Sequence, residues 1–236
     1  MSALRAITAI AAVTFATSVF AADIKLTTED YPPYNFKEGD KIVGLGADQA
    51  FEIMKRAGIT YDVEMAQWSR ALGLAENEAG YCVFTTAHTE ERDAKFLWVE
   101  PLNKATTLLI KKAGSDVNPT NLEEAKAFTV GTQTDDYTES ILKNEGFPKI
   151  DPAKNMETSV KKLVAGRTDL IAVSEAYFNG LVRDGVEVEK SIVLAESLDG
   201  IACNPGTDKA LVDKMQAALD SMIADGTQAK ILAKYE

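Results

Sequence analysis

Residues 81–92 read YCVFTTAHTEER, an apolar run that ends in two threonines and is followed by an arginine. The run Tyr81–Thr85 is almost continuous in apolar character, which is typical of a strand buried on both faces of a parallel sheet. Ligands of open α/β sheets bind at the carboxyl ends of the strands. This stretch therefore predicts a central strand and one wall of a binding site.

Strands and helices alternate on both sides of this run. The upstream pattern predicts strands at Ile24–Thr27 and Thr60–Glu64 and helices at Gly44–Ala57 and Ser69–Asn77. The downstream pattern predicts strands at Thr106–Lys111, Phe128–Gly131, Leu170–Val173, Ile192–Ala195 and Ile201–Cys203. It predicts helices at Tyr137–Asn144, Met156–Ala165 and Glu175–Val182, and an amphipathic helix from Asp208. A capping box at residues 120–123 opens one more short helix. The alternation indicates an α/β layer fold.

The first 21 residues have the layout of a secretory signal peptide. Arg5 precedes a short apolar run, and small residues lead to a cleavage site after Ala21. The run is shorter than the ~20 residues that a membrane-spanning helix needs. We therefore expect a soluble protein that begins at Ala22 in a periplasm-like space.

Composition narrows the possible partners and cofactors. The 236 residues carry a net charge of −11, which should repel nucleic acid and anionic membranes. An oxidising compartment permits a disulfide between Cys82 and Cys203. Both lie in apolar strand-like runs, so we expect two buried free thiols. The Gly44-Leu45-Gly46 run lacks the third glycine of a dinucleotide loop. Neither a cofactor nor a metal is predicted.

The order and spacing of several short motifs resemble the family 3 extracellular solute-binding proteins along essentially the whole mature chain. The motifs are YPPYNF at 31–36, VG at 43–44, WxR at 68–70, TEER at 89–92, FxWVxP at 96–101, VGTQ at 130–133, DLIA at 169–172 and DGT at 225–227. This resemblance implies a two-lobed type II periplasmic binding protein fold, with lobes joined by two crossover strands and a ligand in the cleft between them. It also implies an ABC permease as partner, and we expect a monomer. The predicted lobes are 22–104 plus 205–236, and 105–204.

The segment after the third strand supplies the first candidate ligand contacts. A guanidinium at this position can bind a carboxylate through two parallel hydrogen bonds, and the family uses the residue matching Arg92 for the ligand's α-carboxylate. The alternative is a surface arginine paired with Glu90 or Glu91. Thr85 and Thr86 are at the carboxyl end of the strand, where one of them should contact the ligand. The alternative is that both residues only help to form the strand, because β-branched residues are favoured in strands.

Aromatic residues follow the first two predicted strands. Tyr31, Tyr34 and Trp68 could hold the aliphatic or cationic part of a ligand between flat faces. Tyr137 at the start of a helix in the second lobe is a further candidate. The alternative for the aromatic residues after the strands is packing at the rim of the cleft.

Two departures from amino-acid binders concern charge. Asp135 and Asp136 occupy a turn that usually donates hydrogen bonds to the carboxylate, where they either cap a helix or favour a cation. Ser174 stands where such binders carry an aspartate for the ligand's ammonium. Glu175 either replaces that aspartate or merely starts a helix. If these acids face the cleft, the protein should prefer neutral or basic amino-acid-like solutes to acidic ones.

Three classes of function remain open at this point. The first is a binding protein for a small polar solute, without catalysis. The second is an enzyme similar to the cyclohexadienyl dehydratases, in which Glu175 or Asp136 would act as the acid. The third is a sensory lobe that reports a ligand to a membrane partner. Fold alone does not separate these classes.

Overall fold

The computed structural model describes residues 22–235, so the predicted signal peptide lies outside the described residues. The strands are β1 (Ile24–Thr28), β2 (Phe36–Glu38), β3 (Lys41–Val43), β4 (Tyr61–Met65), β5 (Tyr81–His88), β6 (Leu97–Lys112), β7 (Val130–Gln133), β8 (Ile150–Ala153), β9 (Leu170–Ser174) and β10 (Val188–Cys203). The helices are α1 (Leu45–Ala57), α2 (Trp68–Asn77), α3 (Glu90–Asp93), α4 (Leu122–Ala125), α5 (Tyr137–Asn144), α6 (Met156–Val164), α7 (Glu175–Arg183), α8 (Lys209–Ala224) and α9 (Thr227–Leu232).

Eight strands form one mixed sheet in the order β4-β1-β5-β10-β6-β9-β7-β8, and β2 and β3 form a separate hairpin. β1 is parallel to β4 and β5, and β7 is parallel to β8 and β9. Between these parallel halves, β6 and β10 pair antiparallel, and each is 16 residues long. We call the half with β4, β1 and β5 the first lobe and the half with β9, β7 and β8 the second lobe.

Each lobe has its own hydrophobic core. In the first lobe, α1 and α8 bury Met54 and Leu219 against Phe84 of β5. In the second lobe, Val160 of α6 packs with Ile171 of β9 in a cluster that is separate from the core of the first lobe. The apolar faces predicted for α1 and α8 therefore point inward. Within residues 22–235, no helix has both the length and the apolar character needed to cross a bilayer.

The structure corrects several predicted boundaries. The strands predicted at Ile192–Ala195 and Ile201–Cys203 are parts of the single strand β10. The polar residues between them look like a break in the sequence, but they lie on a strand that is partly open to solvent. β7 begins two residues later than predicted, at Val130. The cap of α4 is also displaced by one residue, because Asn121 accepts the Glu124 N–H at 3.0 Å.

Cys82 and Cys203 form a disulfide with an S–S distance of 2.06 Å, so the prediction of two free thiols is wrong. The two residues stand directly opposite each other on the antiparallel pair β5 and β10. They are 121 residues apart in the chain, and nothing in the sequence shows that their strands are neighbours. The bond ties β10 to the first lobe.

Replacing both cysteines by alanine should lower the free energy of unfolding by about 2–4 kcal/mol, because the bond closes a very long loop in the unfolded chain. Urea denaturation of the double variant and the wild type measures this difference. Wild-type protein unfolded without reductant should show no free thiol. Equal stabilities, or two reactive thiols in the unfolded wild type, would contradict the disulfide.

Candidate ligand-binding cavity

A cavity of about 40 Å³ lies between the two lobes, beside the carboxyl ends of β1, β5, β7 and β9. It gathers most of the predicted site residues: Tyr31, Tyr34, Trp68, Thr85, Arg92, Asp136 and Tyr137. Both lobes contribute side chains, as expected for the cleft of a two-lobed fold. A volume of this size holds about three water molecules.

Arg92 is buried in this cavity rather than paired at the surface. It lies on α3, and only 6 % of its surface is exposed. Its Nη2 donates to the Asp135 carbonyl oxygen at 3.0 Å, and its Nη1 donates to the Ala87 carbonyl oxygen at 3.3 Å. Burial lowers the pKa of Arg92, although a guanidinium stays charged in proteins. A guanidinium has five N–H donors, so some remain for an anionic group.

The Asp135 carbonyl oxygen joins the lobes through two side chains of the first lobe. Besides Arg92, it accepts the Trp68 indole N–H at 2.8 Å. The Trp68 ring also lies 5.3 Å from the Arg92 guanidinium, a cation–π distance. Asp135 has a φ of 60°, in the left-handed region that aspartate tolerates better than most residues. Its side chain is exposed, so only its backbone takes part in this contact.

Of the two candidate threonines, the cavity includes Thr85 but not Thr86. Thr85 has a φ of 58°, a strained value for a β-branched residue and one that is often found at functional sites. Its hydroxyl donates to Asn35 Oδ1 at 2.9 Å and approaches Gly46 so closely that a Cβ there would lie 2.0 Å away. Thr86 is fully buried, and its hydroxyl donates to the Val83 carbonyl oxygen.

Three tyrosines line the cavity. Tyr31 bridges the lobes, since its hydroxyl lies 3.2 Å from Ser174 Oγ and its ring stacks on Tyr177 with centroids 4.5 Å apart. Tyr34 stacks against Tyr31 from the same loop. The Tyr137 hydroxyl is fixed by Thr107 Oγ1 at 2.6 Å. The aromatic faces therefore belong to the cavity wall and not to an exposed rim.

The acids that the sequence analysis singled out lie in different places. Asp136 caps α5 by accepting the Thr138 N–H at 2.9 Å, and it also lines the cavity. The helix-capping role is therefore present, the preference for a cation stays a prediction, and burial raises the pKa of Asp136. Glu175 lies outside the cavity and pairs with Lys190 at 3.0 Å.

Two further carboxylates line the cavity that sequence reasoning missed, Glu29 and Asp199. Burial raises the pKa of Glu29 to about 8, although the hydrogen bond from Gln133 Nε2 at 2.6 Å acts to lower it. Burial, together with the charge of Asp136, raises the pKa of Asp199 to about 7. Glu29 directly follows β1, so the rule that selected the threonines after β5 could have found it. Asp199 lies inside a long strand and carries no such signal.

The single histidine, His88, holds the turn that carries Arg92. Its ring nitrogens lie 2.8 Å from Glu100 Oε2 and 2.9 Å from Asp93 Oδ1, and its ring stacks on Trp98. Partial burial opposes protonation, but the hydrogen bonds to both carboxylates raise the pKa of His88 overall. The imidazole therefore fixes α3 between β5 and the start of β6.

A family model for bacterial extracellular solute-binding proteins, family 3, matches residues 24–236. The chain belongs to this family. Its fold is the two-lobed type II periplasmic binding protein fold that the family resemblance implied, and the crossover strands are β6 and β10.

Curated relatives in this family are binding proteins. The histidine-binding periplasmic protein of Escherichia coli K12 is 27 % identical over 93 % of this chain and 91 % of its own length. The arginine-binding extracellular protein of Bacillus subtilis 168 is 23 % identical over 89 % of this chain and 84 % of its own. The structure of an ancestral arginine-binding protein bound to glutamine superposes with a TM-score of 0.79 at 26 % identity, covering 90 % of this chain and 96 % of that one.

The raised pKa values of Glu29 and Asp199 predict how the stability of the ligand-free protein depends on pH. Both folded-state pKa values exceed the ordinary values of 4.5 and 3.8, so the folded state keeps protons that the unfolded state has released. The two protonated carboxyl groups therefore contribute to the free energy of unfolding. This contribution is fully present below pH ~4 and is lost as the pH rises through 7–8. The melting temperature should therefore fall between pH 5 and pH 8.5.

Variants Glu29→Gln and Asp199→Asn should each flatten this fall by at least about 3 °C relative to the wild type. The exposed Glu38→Gln is the matched control, and its curve should run parallel to that of the wild type. Thermal unfolding followed by circular dichroism across this pH range measures the effect. Parallel curves for all four proteins would show that neither carboxyl group has a raised pKa.

Proposed function

We propose that this protein binds an amino-acid-like solute that carries a carboxylate and at least one cationic group, and delivers it to an ABC importer. The observation that carries the proposal is the charge content of the cavity. One buried guanidinium, Arg92, lies among three carboxyl groups, of which Asp199 is buried and Glu29 and Asp136 are partly buried.

Arg92 accounts for the anionic end of the solute. Within residues 22–235 its two hydrogen bonds go to neutral carbonyl oxygens, so no direct ion pair there neutralises its charge. A solute carboxylate would supply that counter-charge through charge-assisted hydrogen bonds. Trp68 restricts the guanidinium from one face and so favours one orientation of the bound carboxylate.

The carboxyl groups account for the cationic end. Glu29 accepts a hydrogen bond from one neutral amide, Gln133, although an ionised carboxylate can accept about four. A cationic N–H group would satisfy the remaining positions and stabilise the ionised form. A second carboxylate on the solute would instead meet like charges at low dielectric, which is costly. Acidic solutes should therefore bind worse than neutral ones, and basic ones best.

The relatives' names agree with this choice of ligand class, since they are described as binding arginine and histidine. Their description as binding proteins also supports a role without catalysis. The enzyme alternative placed the acid at Glu175 or Asp136. Glu175 lies outside the cavity, and Asp136 is engaged as a helix cap.

Solute entry requires the lobes to separate or the wall side chains to move, because the cavity has room for only a few water molecules. We infer hinge motion about β6 and β10, with the lobes dividing near residues 104 and 204. We further infer export through cleavage after Ala21, a monomeric state, and a permease in the inner membrane as the partner.

A thermal-shift panel tests the charge preference, because a ligand that binds only the folded state raises its melting temperature. At equal concentrations and pH 7.5, L-arginine, L-lysine and L-histidine should give the largest shifts. L-glutamine should give a smaller shift, and L-glutamate and L-aspartate the smallest. If either dicarboxylate gives the largest shift, the proposed preference is wrong.

The Arg92→Ala variant tests the carboxylate contact. It should weaken binding of L-lysine by about 30-fold, which corresponds to ~2 kcal/mol for a charge-assisted contact, and leave cadaverine, which lacks the carboxylate, much less affected. Calorimetry measures both affinities. The control is Arg70→Ala, which removes an exposed arginine paired with Glu64. An equal loss for lysine and cadaverine, or none for lysine, would rule out this role.

A further inference from the structure

The pairing of the crossover strand β10 is interrupted at Gly200 on both of its edges. Opposite β5, Gly200 pairs with Thr86 and Ile201 with Phe84, so Thr85 is an extra residue. Opposite β6, Asp199 pairs with Asn103 and Ile201 with Val99, so the three residues Glu100–Leu102 stand against Gly200 alone and β6 has two extra residues. Such bulges re-aim side chains and often lie next to functional sites.

A side chain at Gly200, the centre of this interruption, would be crowded by β6. A Cβ on Gly200 would lie 3.0 Å from the Val99 carbonyl oxygen and 3.2 Å from the Trp98 ring. The close approach of β6 lets the backbone change register within one residue. Asp199, the residue before Gly200, lines the cavity with its side chain and retains 6 % exposure.

The Asp199 carboxyl group has few partners for a buried acid. Asn103 Nδ2 donates to Asp199 Oδ2 at 2.9 Å, and this is the one hydrogen bond that the side chain receives within residues 22–235. The other end of the same amide, Asn103 Oδ1, is buried without a partner among these residues. Buried acceptors without donors are costly, so the Asp199 carboxyl group, which lines the cavity, is suited to a group with several N–H donors.

We propose that Asp199 forms a second ammonium subsite, distinct from the one at Glu29, so that the solute carries two cationic nitrogen groups besides its carboxylate. The inference rests on the function proposed above and deepens it from a solute with one cationic group to a dibasic one. Glu29 lies after β1 and is fixed by Gln133 of the second lobe, whereas Asp199 lies on a crossover strand and is fixed by the other crossover strand.

The position of Asp199 also connects the solute with the hinge. The Asn103–Asp199 hydrogen bond joins β6 to β10, the two strands about which the lobes move. A cation on Asp199 therefore stabilises the ionised carboxylate at the point where the crossover strands meet. Glu29 acts between the lobes instead, because its hydrogen-bond partner Gln133 lies on β7.

Calorimetry with L-lysine and two analogues tests this assignment. 6-Aminohexanoate lacks the α-ammonium, and L-norleucine lacks the side-chain ammonium. At pH 8, the wild type should bind lysine at least 10-fold more tightly than either analogue. Asp199→Asn should lower the affinity for lysine and for one analogue by at least 10-fold and change the affinity for the other analogue by less than 2-fold. Glu29→Gln should show the reciprocal pattern. The exposed Asp62→Asn is the matched control and should change none of these affinities.

The outcomes separate the two proposals. If lysine and both analogues fail to bind the wild type, the dibasic inference is overturned. If the other cationic compounds of the thermal-shift panel also fail to bind, the proposed function is overturned as well. If lysine binds tightly but Asp199→Asn and Glu29→Gln affect both analogues alike, only the second subsite is overturned. If the Asp199→Asn variant does not fold, proton release by the wild type tests the subsite instead. Binding of lysine near pH 7 must release protons, and calorimetry in buffers of different ionisation enthalpy measures their number. Norleucine and 6-aminohexanoate must differ from each other in proton release, and equal release for both overturns the subsite.

Discussion

The backbone hydrogen bonds between β6 and β10 support everything else in this molecule. These two 16-residue strands pair with each other along almost their whole length and carry one lobe at each end. The lobes have separate cores, so they need no shared hydrophobic interior to remain joined. The ladder changes register at Gly200, as it also does after Lys190 and after Val193, so the chain could bend at Gly200 while each lobe keeps its packing. The cavity lies beside this irregular segment.

Burial of charge gives the cavity its chemical character. Each of its ionisable groups would be better solvated in water, and burial shifts their pKa values toward the neutral forms. Glu29 and Asp199 each receive one hydrogen bond from a neutral amide, which is too little to stabilise a buried carboxylate fully. A solute with complementary charges supplies the missing partners. In the proposed function, the imbalance that destabilises the cavity would therefore provide affinity and select the charge of the ligand.

Local patterns were enough to predict most of the fold, because helix periodicity, caps and strand alternation depend on neighbouring residues. Helix α5 begins and ends at the predicted Tyr137 and Asn144. The disulfide and the full length of β10 depend on which strands are neighbours in space, and this is absent from local patterns. Arg92 and the aromatic residues could be placed near the cavity because they follow strands. Asp199 could not, since its direction depends on bulges in two other strands.

Arg92 connects lobe closure with solute recognition. Its guanidinium reaches from the first lobe to the Asp135 carbonyl oxygen of the second, and Trp68 donates to the same oxygen. In the proposed closure, the guanidinium would leave water before all of its donors have partners. A solute carboxylate would fill those remaining positions and offset the cost of burying the charge. Without a carboxylate the guanidinium has two neutral acceptors, one in each lobe, and with a carboxylate it would gain an ion pair. The closed arrangement should thus be favoured most by solutes that satisfy Arg92, which makes one side chain serve both the recognition of the solute and the closing of the lobes around it.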